Sequence, residues 1–287
     1  MPPTKSKKFD EGGGFEGGRM VPSLREPRFS QSLERGLAIL SCFSGERPIR
    51  GIADLADELG MSRSTTHRYV VTLVALGYLE QDAQRKYRLG LRVTDLGMSA
   101  LNSMSLREHA HPYLEDLRRE TNFTVNLAIL DGSEVLYVDR VRGSRQGQHK
   151  IDFDLHVGSR LPAYCTALGK VLLAYLPDAE QKALIGSLKP AKHGPHTIVS
   201  KKALKTELEQ IGEEGLAVDD EEFAAEVQAI AAPVRSSGGE VVAAVNLVGS
   251  RSMITVDELV VSLSPHLVAT AARISARLGY RRADERG

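Results

Sequence analysis

Seven consecutive residues, Ser62, Arg63, Ser64, Thr65, Thr66, His67 and Arg68, crowd hydroxyl, imidazole and guanidinium groups together, and no acidic residue occurs from Met61 to Leu79. Ser, Thr and Arg are the side chains that donate to phosphate oxygens and base edges. Arg85, Lys86, Arg88 and Arg92 follow, with no acid between Ala83 and Arg92. Cations so grouped suit a flanking phosphate backbone or a minor groove. A second kind of chemistry lies at 163–169, where Pro162 and a small-residue run precede VLLAYL. A helix start there would expose unpaired N–H groups that favour an anion, approached closely over Ala167 and Gly169. The same small residues would equally serve close packing of helix on sheet.

Enzyme chemistry finds less support. A Cys–His mechanism would need Cys165 beside His156 or His193, and nothing in the spacing enforces it; buried Cys is commonly a small apolar residue. His109 with His111, and His193 with His196, each offer two metal ligands and no third at helical or turn spacing. No GxxxxGK[ST] occurs, and the Gly12–Gly18 cluster sits in a tail. The expectation is a non-enzyme with no metal and no cofactor.

The elements that position these groups follow from periodicity. SQSLERGLAILSCF puts Leu33, Leu37, Ile39 and Leu40 at helical spacing; IADLADELG puts Ile52, Leu55, Ala56 and Leu59 on one face, with Gly60 as C-cap. Ser62 caps a third helix whose Tyr69, Leu73 and Leu76 turn toward a core, and Tyr78 to Leu89 reads as a short hairpin. Helix, helix, short turn, helix, hairpin is a winged helix-turn-helix, a module that reads DNA and whose relatives in architecture can also dock protein. Residues 95–121 read as a linker helix interrupted before Pro112. Beyond it Phe123, Val125, Leu127 and Ile129 alternate, Asp131-Gly132 supplies a hairpin turn, and EVLYVDRV returns. Helices at 165–176, 201–214 and 256–278 and strands at 229–235 and 241–248 complete an α+β domain with an antiparallel sheet. The expected division is a disordered tail over 1–28, the winged helix-turn-helix over 29–94, the linker over 95–121 and a ligand-binding domain over 122–282.

Composition bounds the partners. With 287 residues, two domains of roughly 150 residues are expected. Lys+Arg and Asp+Glu number 37 each, which argues against a basic coat for nucleic acid at large. Even Ser30 to Asp95 holds nine basic and eight acidic residues, so selectivity must come from segregation, with Asp54, Asp57 and Glu58 on the supporting helix and a purely basic reading edge. Two cysteines, no signal-peptide core and no run of 18 apolar residues lead to the expectation of a cytoplasmic protein without membrane contact.

The run GIADLADELGMSRSTTHRYVVTLVALGYLEQDAQRKYRLGLRVTDLG resembles the N-terminal domain of the IclR family of bacterial transcriptional regulators. HVGSRLPAYCTALGKVLLAYL and GLAVDDEEFAAEVQAIAAPVRSSGGEVVAAVNLVG are similar to its GAF-like effector domain, so the resemblance spans about residues 30 to 280. The wording GSRLPAYCTALGKVLLA is closest to the subgroup controlling aromatic-acid catabolism through the β-ketoadipate pathway. The resemblance implies operator DNA, a small carboxylate effector, a homodimer or dimer of dimers and RNA polymerase as partners. It also implies an effector site at Ala167, Leu168 and Gly169, Asp219 in the DDEE loop, Ala229, Asn246 and Val248, with Tyr137 and Leu155 as walls. Several family members carry Cys at the Ala229 position and Ser at the Asn246 or Val248 position, so this pocket should be less polar there and suit an aromatic or longer acid. Glu207 to Glu226 holds nine acidic residues and no basic one, an odd wall for an anion, and most of these carboxylates are expected to face solvent with Asp219 the exception.

Overall fold

The computed structural model describes residues 30–45, 47–103, 105–144 and 155–281. The tail read over 1–28 lies outside the described residues. The chain divides into two compact units between Ser103 and Met104.

In the first unit, α1 (Gln31–Ser41) starts at Ser30, whose hydroxyl accepts from the Leu33 amide. Next come α2 (Ile52–Leu59), closed by Gly60 at φ +62°, and α3 (Arg63–Ala75). Strands β1 (Leu79–Gln81) and β2 (Tyr87–Leu89) pair antiparallel, and Arg50 bridges to Tyr87. Helix α4 (Leu91–Ser103) ends the unit. The core gathers Ile39, Phe43, Leu55, Leu59, Val70, Leu79 and Tyr87. The Arg50 side chain is buried as well, donating to the Cys42 carbonyl at 3.0 Å and to Glu58 at 2.6 Å. Three apolar residues assigned to this core by spacing are instead exposed: Leu33 (63%), Leu37 (55%) and Leu76 (51%). Thr66 and Val70, four apart, set the buried stripe of α3 and turn Leu76 outward.

The second unit opens with α5 (Ser105–Thr121), so the stretch read as one linker helix consists of two. The interruption expected before Pro112 falls between α4 and α5, well ahead of the proline, and α5 itself runs through Pro112. Proline removes one intrahelical hydrogen bond, but Ala110, Leu114 and Leu117 are all buried in the core and hold both flanks in place. Six strands then form one antiparallel sheet: β3 (Thr124–Asp131), β4 (Glu134–Val141), β5 (Arg160–Pro162), β6 (Ala217–Asp220), β7 (Val227–Arg235) and β8 (Val241–Ser250), in the order β5-β4-β3-β8-β7-β6. Alternation sends Val125, Leu127, Ile230, Val245 and Leu247 to one core with α5, and Ala128, Ala229, Ala231 and Ala244 to the other.

That second, alanine-lined face is covered by α6 (Ala167–Ala174), preceded by a 3-10 turn at Ala163–Cys165, and by α7 (Asp178–Ser187) and α8 (Lys201–Glu214). Small side chains on the sheet leave depth between it and α6, and a cavity forms there. The opposite face carries a helical stretch made of α9 (Val256–Glu258), a π turn at Leu259–Leu263 and α10 (Ser264–Arg277). At 22 residues it is long enough to cross a bilayer, yet Leu259, Leu267, Ala271 and Ile274 are core residues of the sheet.

Candidate nucleic-acid interface and ligand pocket

The start of α3 is built by Ser62, whose Oγ accepts from the Thr65 amide at 3.1 Å and donates to Thr65 Oγ1 at 2.8 Å. Arg63, Ser64, His67 and Arg68 are exposed, and Thr65 is half-buried. Thr66 departs from the reading that put it on DNA: it is 0% exposed and its hydroxyl donates to the Ser62 carbonyl at 3.1 Å. Its position on the same stripe as Val70 places it in the core face of the helix.

The hairpin tip is shaped by Asp82, whose Oδ1 accepts from the amides of Gln84 (2.9 Å) and Lys86 (2.8 Å), with Arg85 at φ +60°. Arg85 and Lys86 are exposed there. Arg88 faces Glu80 across the ladder, and its Nε and Nη2 reach one carboxylate oxygen at 3.0 and 2.8 Å. The wing is therefore not purely basic, because register brings an acid from β1 against a cation of β2.

In the second unit, Tyr137, Leu155, Ala167, Asp219, Ala229, Asn246 and Val248 line one cavity of about 30 Å³. Leu168 and Gly169 do not. Leu168 is buried in the core below α6. A Cβ at Gly169 would collide with the Ala163 backbone, so glycine here serves close packing of α6 on the 3-10 turn. The amide of Gly169 is already capped by Thr166 Oγ1 at 3.2 Å. Asn126, Arg140, Leu161, Thr166, Phe223 and Val227 complete the wall. Asn126 had a legible signal, a polar residue at an inward position of an alternating strand; Arg140 had none, because a β-bulge between Leu127 and Ala128 shifts the register of β3 on β4.

Asp219 lies on β6 rather than in a loop, and its Oδ1 accepts from the Glu222 amide at 2.8 Å. Burial, reinforced by the Glu222 charge, pushes its carboxyl up to about 7. Glu221 and Glu222 are buried as well, so three carboxylates of the acidic segment leave solvent instead of one. Glu221 and Glu222 each have a partner distant in sequence. Glu221 meets Arg251 at 2.5 Å and accepts the Glu226 amide at 2.8 Å. Glu222 is paired with Lys170, fully buried on α6, which also donates to Glu207 at 2.8 Å. Burial alone would lower the Lys170 pKa; the two glutamates outweigh it and hold the ammonium charged.

Tyr137 is likewise held in its neutral form by burial. Burial also pushes the Cys165 thiol up to about 12, and its Sγ points to the Pro162 carbonyl, so this cysteine is a poor nucleophile. His193 stacks on Phe223, while His156 turns to Ser159. His111 contacts Asp139 at 2.7 Å. Among the described residues, His196, Asp220 and Glu221 bring ligand atoms within 4.8 Å of one another, but Glu221 is engaged by Arg251.

Comparison with known proteins agrees with both units. The model described as IclR helix-turn-helix domain matches residues 32–83, and that for the bacterial transcriptional regulator IclR C-terminal matches 98–276. The transcriptional regulator XynR of Escherichia coli K12 is 35% identical over 87% of this chain and 98% of its own. The Pca regulon regulatory protein of Pseudomonas putida is 32% identical, over 88% of this chain and 86% of its own. A crystal structure of an IclR homolog from Microbacterium hydrocarbonoxydans complexed with 4-hydroxybenzoate superposes with a TM-score of 0.71 at 26% identity, over 86% of this chain and 99% of that one. The winged helix-turn-helix, the antiparallel α+β domain and these matches together show that the chain belongs to the IclR family of bacterial transcriptional regulators, DNA-binding proteins and not enzymes.

Proposed function

We propose that this regulator responds to a small aromatic or comparably long carboxylate, held in the cavity between α6 and the sheet. The observation that carries the reading is the cavity itself, in which apolar walls (Leu155, Ala229, Val248, Phe223) surround a few polar groups (Asn126, Tyr137, Asp219, Asn246). Apolar Ala229 and Val248 suit a ring better than a two-carbon acid. The similarity to a Pca regulon regulator and to a 4-hydroxybenzoate complex supports the same class.

The cavity's size bears on mechanism. Ligand pockets usually hold about 300–1,000 Å³, whereas this one encloses about 30 Å³. An aromatic acid must therefore open it, and ligand binding is coupled to a change of conformation in this domain. Only differential affinity for two states lets a ligand shift an equilibrium, and a closed cavity supplies that difference.

On this reading, residues 29–94 read the operator through Arg63, Ser64, Thr65, His67 and Arg68, with Ser62 shaping the helix start and Arg85 and Lys86 gripping flanking phosphates. Two chains, as a homodimer or a dimer of dimers, address two half-sites. The linker over 95–121 carries the change from the effector domain over 122–282, RNA polymerase is a further partner, and the cytoplasm is the place of action. Calorimetric titration of the full chain with protocatechuate, 4-hydroxybenzoate and β-ketoadipate tests the effector class. Saturable heat with at least one is expected; no heat and no thermal shift with any would remove the assignment.

A further inference from the structure

The helical stretch of α9, the π turn and α10 is apolar enough to cross a bilayer, yet only 33% of its most apolar part is buried within the chain. Its surface divides into three sides. One packs on the sheet through Leu259, Leu267, Ala271 and Ile274. A second turns to α5, where His266 meets Glu120 at 3.3 Å and Arg273 meets Asp116 at 3.4 Å. The third belongs to neither. Val261, Pro265, Val268, Ala269, Ala272 and Ala276 recur along it at helical spacing, all exposed, Val261 by 76% and Val268 by 40%.

The outer face of a surface helix is ordinarily polar or charged. Helix α8 keeps to that rule, with Lys202, Lys205, Glu209 and Glu213 exposed on it. A continuous apolar stripe with a charged rim instead marks a surface that a partner covers. The rim says which partner. Asp257 and Glu258 stand exposed at one end and Arg277 at the other. This polarity suits the helix's own dipole, and it also makes the face complementary to itself. When two copies run antiparallel, the acids of one lie against the arginine of the other, and the alanines let the two helices approach closely. A bilayer surface would favour a cationic rim throughout, whereas here one end is acidic.

We infer that this face of α9 and α10 is an interface between copies of the chain, two such helices packing antiparallel about a two-fold axis near Val268, the middle of the stripe. From the function proposed above it takes only that two copies act together, and it gives their second units a surface on which to meet.

Sedimentation of the full chain over a range of concentrations tests this. Wild type is expected to assemble, and V268D, which sets two carboxylates against each other at the axis, to weaken that assembly at least about tenfold. A second measurement uses oxidation. V268C is expected to give a disulfide-linked dimer, because a residue at the axis faces its own copy, while K205C on the charged face of α8 does not. Undiminished assembly of V268D, or V268C cross-linking no faster than K205C, overturns this face and leaves pairing through another surface standing. A wild-type chain that stays monomeric overturns the face and the two-copy reading alike. Co-sedimentation of wild type, but not V268D, with phosphatidylcholine–phosphatidylglycerol vesicles assigns the stripe to a bilayer and overturns the second copy as its occupant.

Discussion

Buried on β6 and bonded to the Glu222 amide, Asp219 titrates near 7 against an ordinary 3.8. The native state therefore keeps a proton that the unfolded chain releases. The contribution of this group to stability is fully present below the unfolded pKa, falls as pH climbs from about 4 to about 7, and then levels off. The full drop is on the order of 4 kcal/mol, because each tenfold change in proton affinity is worth about 1.4 kcal/mol. D219N, which keeps an acceptor for the Glu222 amide, is expected to flatten this slope and to melt higher than wild type at pH 8; an unchanged slope by thermal unfolding across pH 4–8 would contradict it. Among single residues the sequence was informative where a residue's type restricts its role and silent where register decides. Ser62 as a cap follows from its type and place before a helix. The pairing of Arg88 with Glu80, the burial of Thr66 and the meeting of Glu222 with Lys170 depend on which strand or helix face lies opposite, which no local pattern encodes.

Helix α6 shows how an element sets the geometry of the pocket. Its first turn is anchored by Thr166, its underside by Gly169 against the 3-10 turn, and its middle by Lys170 between α8 and the segment after β6. G169A would force a methyl into the Ala163 backbone, and overpacking of this kind costs about 1–3 kcal/mol. Chemical denaturation is expected to show that loss; a G169A chain as stable as wild type would mean that α6 does not pack as described. Most elements were legible. The second helix, the helix over 201–214 and the central hairpin strands appear where periodicity placed them, since each carries its own cap, turn or alternation. Strands β5 and β6, three and four residues long, and α7 were missed because they are too short or too weakly patterned to declare a period. Pro112 itself sits inside α5 without breaking it, as burial on both sides outweighs one lost hydrogen bond, and the break in the stretch comes earlier, between α4 and α5.

Across the whole molecule, 37 basic and 37 acidic residues cancel, and their placement now has physical content. Arg63, Arg68, Arg85 and Lys86 are exposed on α3 and the wing tip, whereas Glu221, Glu222 and Asp219 are buried in the second unit among their own partners. Such a chain should bind nucleic acid through a few contacts and so discriminate among sequences. Recognition of specific duplex DNA under control of a carboxylate is open to a single titration. Duplexes selected from a random pool by the full chain would be titrated by fluorescence anisotropy over a range of salt, with and without 4-hydroxybenzoate, for wild type and R63A/R68A. The expected result is an enriched duplex with half-sites about 34–36 Å apart or a multiple of that. Its affinity should change several-fold with the acid, and the double variant should lose about 1 from the salt slope for each cation that meets a phosphate. No enriched duplex, or a double variant with wild-type affinity and slope, would mean that α3 does not read DNA.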